Sequence, residues 1–197
     1  MFYGKTSKKS IDEEKELDNK LIKKMYILGF FFVAIVGTTL HFTYKLSGNN
    51  LFVAAFSAVN ESVWEHVKIA VMPLFVWSII ELFVIKFRKP NLWTSLFLKI
   101  ITIMATIIVL FYLYTSIFNT HFLFVDIAFF YISILLSQIV GYNMLKWKNV
   151  KIEYEEIAKY LVIIIFLMFV LFTFLPPKFD LFKDEVTSTY GVFEFVY

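Results

Sequence analysis

Residues 100–118 read IITIMATIIVLFYLYTSIF, without one charged side chain. At 1.5 Å per residue a helix of that length covers most of the ~30 Å hydrocarbon thickness of a bilayer. Inside lipid a helix is also the single-segment structure that satisfies its own backbone donors and acceptors. Extended back to Leu92, the stretch gains only one charge, Lys99. Working outward, four more stretches meet the same test: 21–46, 60–87, 122–145 and 157–175. Short connections join them. The sequence therefore predicts an all-α polytopic membrane helix bundle of five transmembrane helices. Composition agrees. Hydrophobic residues make up 59% of the 197 and charged residues 18%, with 25 phenylalanines, against roughly 45–50% and 25% in soluble domains. Mean hydropathy is +0.72. A water-soluble globule and a disordered chain are both excluded.

Lysine and arginine set the orientation, because they collect on cytoplasmic flanks. Lys5, Lys8, Lys9, Lys15, Lys20, Lys23 and Lys24 precede or open the first span, and the connection after it has none. Lys86, Arg88 and Lys89 follow the second span. None lies around Asn119-Thr120-His121, and Lys146, Lys148, Lys151 and Lys159 follow the fourth; only Lys178 and Lys183 of the tail break the pattern, accompanied by Asp180, Asp184 and Glu185. The alternation predicts a cytoplasmic segment over 1–20, a five-span domain over 21–175 and an extracytoplasmic aromatic tail over 176–197. The N-terminus lies inside and the C-terminus outside. Ser10-Ile-Asp-Glu13 reads as a capping box opening a short surface helix that runs into the first span. The first apolar stretch is too long for a signal peptide and lacks a small-residue cleavage site. Phe, Ile, Lys, Asn and Tyr, all with AT-rich codons, point to a low-GC bacterial source and so to a bacterial plasma membrane. The absence of cysteine excludes disulfides and thiolate chemistry. A net charge of +3 gives no footprint for nucleic acid, and the expected partners are membrane lipids.

With this topology the few polar side chains fall into layers. His41, His66 and Asp126 lie about 7–9 Å below the outer surface, with His121, Glu61, Ser62 and Glu65 close by. If span two begins at Asn60, then Glu61, Ser62, Glu65 and His66 share an arc of about 140°, and Trp64 points away to the lipid headgroups. Ionisable groups in a span are costly and face a cavity or one another. Imidazole and carboxylate are the ordinary cysteine-free ligands of zinc, iron and manganese. One expectation is a divalent metal, zinc first, on His41, His66 and His121. Glu65, Asp126 and Ser62 form the catalytic set, with Glu65 or Asp126 as general base to a metal-bound water. The substrate would be lipidic or cell-wall-derived. The other expectation is plain capping and interhelical hydrogen bonding by the same residues. The protein would then be a non-catalytic subunit, an immunity factor or a small-solute carrier. No HExxH or His-x-His spacing decides between them.

The run from His41 through Ser47-Gly-Asn-Asn50 to Phe56-Ser-Ala-Val-Asn-Glu-Ser-Val-Trp-Glu-His-Val-Lys68 and Pro73 resembles an uncharacterised family of small bacterial membrane proteins. Its mark is an Asn-Glu-Ser-x-Trp-Glu-His segment, and its members share an outer tail like Asp184-Glu-Val-Thr-Ser-Thr-Tyr-Gly191. Ala58, Glu185 and Ser188 depart from that pattern, in turns rather than in the ionisable set. The resemblance implies membership and no activity. Ceramidase-like hydrolases, similar only in their counts of histidine, aspartate and serine, have seven spans and a His-x-x-x-His that this chain lacks.

In the inner half, Glu81 and Lys99 sit at matching depth on adjacent spans, which predicts a structural ion pair. Pro73 predicts a kink in span two. After Pro176-Pro177 the tail is aromatic, suited either to anchoring at the interface or to covering the polar layer.

Overall fold

In the computed structural model, residues 8–85, 91–146 and 151–193 are described, with side chains from residue 16 onward. Six α-helices follow in order: α1 Lys8–Leu46, α2 Leu51–Ala54, α3 Val63–Ile85, α4 Leu92–Phe118, α5 Leu123–Lys146 and α6 Ile152–Phe174. A 3-10 turn, Asp180–Phe182, comes last. No strand occurs among the described residues; the tail contributes one isolated bridge, Lys183 to Tyr190. All helices but α2 contain a span long and apolar enough to cross a membrane. The basic connection residues Lys86, Arg88, Lys89 and Lys148 lie outside the described residues.

The first helix is one rod of 39 residues, so the charged N-terminal segment does run straight into the first span. It begins by Lys8, ahead of Ser10, and the side chains of the expected capping box lie outside the described residues. The last span begins at Ile152, earlier than residue 157, because the acidic run Glu153 to Glu156 is helical. Glu155 explains part of this. Its carboxylate accepts the backbone N–H groups of Trp93 (2.6 Å) and Thr94 (2.9 Å) and the Thr94 hydroxyl (2.7 Å). It thus supplies from α6 the cap that Asn91 does not give α4, where unpaired donors and the helix dipole favour an anion.

The core lies along α3. In its most apolar window 61% of residues are buried, against 22–33% in the other four spans. Helices α1 and α4 flank it, α5 packs against α1 and α4, and α6 packs against α4. Pro73 lies inside an unbroken α3. It has no N–H to offer the Ile69 carbonyl, and Gly37 of α1 packs against that carbonyl. A Cβ on Gly37 would lie 2.6 Å from it, so only glycine permits this approach.

At the end opposite the histidines, Lys99 Nζ and Glu81 Oε2 lie 2.6 Å apart at 0% and 3% side-chain exposure. The Lys99 ammonium also lies 4.9 Å from the Tyr26 ring centroid. Tyr26 and Ser95 share a hydrogen bond of 2.8 Å, and the Ser95 hydroxyl also approaches the Gly141 carbonyl at 3.0 Å. A Cβ on Gly141 would meet the Lys99 stem at 2.6 Å, so this glycine makes room for the lysine.

After α6 the chain turns at Pro176-Pro177 and folds back onto the helix ends. Phe182 is buried against Trp64 (4.8 Å between centroids) and Phe172 (5.4 Å). Trp64 stacks on Phe169 at 4.5 Å and is 4% exposed. The expectation that Trp64 faces lipid headgroups is therefore corrected: the tail supplies an aromatic lid over it. Asp184 holds the next turn by accepting the Val186 N–H (2.9 Å) and the Thr187 hydroxyl (2.5 Å). The Val192 N–H then donates to Thr173 O at 3.1 Å. The rest of the aromatic run, residues 194–197, lies outside the described residues.

Candidate metal centre and its cavity

The site is built where α1 ends and α3 begins. Ser57 ties the connection to α1. Its hydroxyl donates to Leu40 O and accepts the Tyr44 N–H at 3.0 Å. Those two groups would otherwise close one rung of the helix, so a side chain is inserted into the ladder beside His41. Asn60 Oδ1 accepts the Ser62 N–H (3.0 Å), and Ser62 Oγ accepts the Glu65 N–H (3.3 Å). Ser62 is thus the N-cap of α3, and Glu65 stands at the third helical position, as in a capping box. The Glu65 carboxylate reaches past Ser62 to the Val59 N–H at 3.0 Å. Residues 60–62 consequently lie outside the helix, and the arc shared by Glu61, Ser62, Glu65 and His66 does not form. Glu61 leaves a turn and reaches His66 from above.

This turn brings His41, Glu61 and His66 together. Glu61 Oε2 lies 3.7 Å from His41 Nε2 and 3.6 Å from His66 Nε2. One ligand atom from each of the three falls within 4.8 Å of the others. The rings stand 5.4 Å apart, and the three side chains are 25–35% exposed. The His66 orientation is fixed. Its Nδ1 lies 2.9 Å from Ser62 O, and a carbonyl only accepts, so Nδ1 donates there and Nε2 is the nitrogen turned to Glu61. Buried His41 Nδ1 has no such partner. Lys45 Nζ stands 3.9 Å from Glu61 Oε1.

His121 does not join this group. Its Nδ1 lies 3.4 Å from Asp126 Oδ2, and its side chain is about half exposed. Asp126 Oδ1 accepts the Tyr114 hydroxyl at 2.5 Å, and Tyr114 Oη accepts the Phe122 N–H at 3.1 Å. A relay runs from a backbone amide through Tyr114 and Asp126 to an exposed imidazole. The α4–α5 hairpin makes it, closed at Asn119 in the left-handed conformation. The three histidines therefore do not converge: His41 and His66 group with Glu61, and His121 stands apart on Asp126. Glu65 and Ser62 stand apart as well. Ser62 is 1% exposed and caps α3. Glu65 is 2% exposed and pairs with Lys68 at 2.6 Å. Lys68 Nζ also donates to Thr173 Oγ1 (2.7 Å) and Ala54 O (3.0 Å), using all three of its protons. This buried network locks α2, α3 and α6 behind the turn that carries Glu61.

Both polar groups open onto one cavity of about 790 Å³. Glu61 and His66 from the start of α3, His121 and Asp126 from the α4–α5 hairpin, and Asp184 to Thr187 of the tail line it together. The sequence did not single out Glu61 as the acid beside His41 and His66, nor Tyr114 as the partner of Asp126. The cap Ser62-x-x-Glu65 was the readable signal for the first, since it places Glu61 before the helix. The second is legible only once α4 and α5 are paired.

The chain matches the family described as "Family of unknown function (DUF6512)" over residues 14–192, and it belongs to that family. Neither a curated protein nor a solved structure matches it significantly.

Proposed function

We propose that His41, Glu61 and His66 bind a divalent metal, zinc first, and that the protein is a metal-dependent hydrolase of a lipidic or cell-wall-derived substrate. The observation that carries this reading is the gap between Glu61 and the two imidazoles. At 3.6 and 3.7 Å the atoms are too far apart to share a hydrogen bond. Ligands around a tetrahedral zinc at 2.0–2.1 Å stand about 3.3–3.4 Å from one another, so Glu61 is already near ligand spacing to each imidazole, and all three ligand atoms lie within 4.8 Å of one another. Two histidines and a glutamate leave a fourth position for water, as in catalytic zinc sites. The Ser62 carbonyl behind His66 is the usual outer-shell support.

The bound ion would lower the pKa of that water and supply hydroxide at neutral pH. Asp126 and His121 are the proton-transfer groups across the cavity. Tyr114 fixes Asp126, and Asp126 orients His121. Glu65 is not used as a base, since Lys68 holds it. In this reading the protein sits in a bacterial plasma membrane with its N-terminus in the cytoplasm and the cavity on the outer side. The carrier alternative loses support from the middle of the bundle. Val71, Leu74, Ile100, Ile103 and Ile134, each 0% exposed, separate the cavity layer from Glu81.

The non-catalytic alternative draws on Lys45, whose approach to Glu61 allows a plain ion-pair cluster. Hydrolysis of p-nitrophenyl acyl esters by chelator-stripped and zinc-reloaded protein separates the two. The hydrolase reading expects activity that returns with the metal and disappears in Glu61→Gln and His66→Ala. Full metal occupancy with no ester hydrolysis would leave a binding protein, and activity indifferent to the metal would overturn the mechanism.

A further inference from the structure

The cavity carries more than its metal ligands, and its two ends differ in chemistry. At the rim stand four carboxylates, Glu61, Asp126, Asp184 and Glu185, and one ammonium, Lys45. With neutral histidines the described lining carries three net negative charges, and a divalent ion on Glu61 would still leave one. The floor is apolar. Ile107 and Phe111 of α4 and Phe129 and Phe130 of α5 line it. Ile107 precedes Phe118, the last residue of α4, by eleven positions, which is ~16 Å along the helix axis. The cavity therefore reaches from a charged mouth into the apolar depth of a bundle whose outer faces suit lipid. A purely polar ligand would leave the floor unmatched, and a purely apolar one would desolvate four carboxylates.

We infer that the cavity takes a long-chain amphiphile with a cationic amine head, its chain against Ile107 and Phe130 and its amine among the rim carboxylates. This deepens the proposed function, because it rests on the cavity as the substrate site; it does not require the metal. The charge balance favours an ammonium over a phosphate or carboxylate head. The Asp184 turn, pinned by Val186 and Thr187 and followed by the Val192 bond to Thr173, holds the acidic rim in place before a ligand arrives.

The test uses full-length protein in phosphatidylcholine nanodiscs and three photoactivatable probes with the same diazirine-bearing hexadecyl chain: an amine, a carboxylate and a phosphate. Cross-linked peptides are mapped by mass spectrometry. The amine should label α4 around Ile107 and α5 around Phe130 about fivefold more than either anion, an effect on the order of one screened charge contact. Ile107→Trp, which fills the floor, should abolish that labelling. Glu185→Lys, an exposed tail substitution that leaves the helices untouched, should shrink the preference for amine. Equal labelling by carboxylate or phosphate would overturn the choice of head group. Labelling unchanged by Ile107→Trp would overturn the site. Metal content measured on the same samples separates the two readings. Amine labelling without metal sinks the metal centre alone, and metal without labelling sinks this inference alone.

Discussion

Two groups of charges sit in this bundle, and they are built differently. Glu81 and Lys99 are closed on each other at 2.6 Å and almost wholly buried. Glu61, His41 and His66 approach no nearer than 3.6 Å and keep a quarter to a third of their side chains open. In a low-dielectric surrounding, opposite charges with no other task collapse into contact, because a separated pair forfeits Coulomb energy without regaining hydration. The closed pair is thus explained by the fold alone. In the open group Glu61 and His66 line a cavity and Ser62 orients His66 from behind, an arrangement that the proposed metal accounts for and the fold alone does not.

The contrast is breakable by mutation. The largest effect on stability is expected from Lys99→Ala. It strands the Glu81 carboxylate and should cost about 3–5 kcal/mol, seen as an earlier midpoint in SDS titration of mixed micelles. The double variant Glu81→Met/Lys99→Met should recover most of that, since an apolar pair of similar volume carries no unpaired charge. A midpoint unmoved by Lys99→Ala would put the pair outside the structural class.

Lys68→Met should come next, at about 2–3 kcal/mol, because Glu65 keeps the Val59 N–H but loses a charged hydrogen-bond partner. Thr173→Val removes one of the three Lys68 acceptors and should cost about 1 kcal/mol by the same titration. Both should also loosen the metal, since the network stands behind the Glu61 turn, and a competition assay with a zinc-binding dye would register it. Glu61→Gln should show the smallest loss of stability, under about 1 kcal/mol, as expected for a partly exposed group, and yet the largest loss of metal. On acidification the wild type should release its metal, because imidazole and carboxylate ligate only when deprotonated. A metal content flat from neutral to mildly acidic pH would place the ion elsewhere.

How far the sequence carried this account varies from element to element. Five spans were legible from length and hydropathy, and the Glu81–Lys99 contact from depth on antiparallel neighbours. The start of α3 was not, since Asn60 and Ser62 are both good caps and only the folded turn shows Ser62 taking the role. That two-residue difference moved Glu61 from a helix face to the turn beside His41 and His66 and turned Glu65 inward to Lys68. Trp64 suited an interface by residue type. Its burial depends on Phe182, more than a hundred residues away in a tail whose path no local pattern fixes. His121 lies five residues before Asp126 and was grouped with the other histidines by depth. Depth says nothing about azimuth, and the α4–α5 hairpin holds it against Asp126, apart from His41 and His66.

Elemental analysis of the purified protein, with wild type beside Glu61→Gln, His66→Ala and His121→Ala, tests the central claim most directly. The account predicts about one divalent ion per chain in the wild type and in His121→Ala, and loss of the ion in the other two. Metal absent from the wild type after zinc loading, or retained equally in Glu61→Gln and His66→Ala, would contradict it.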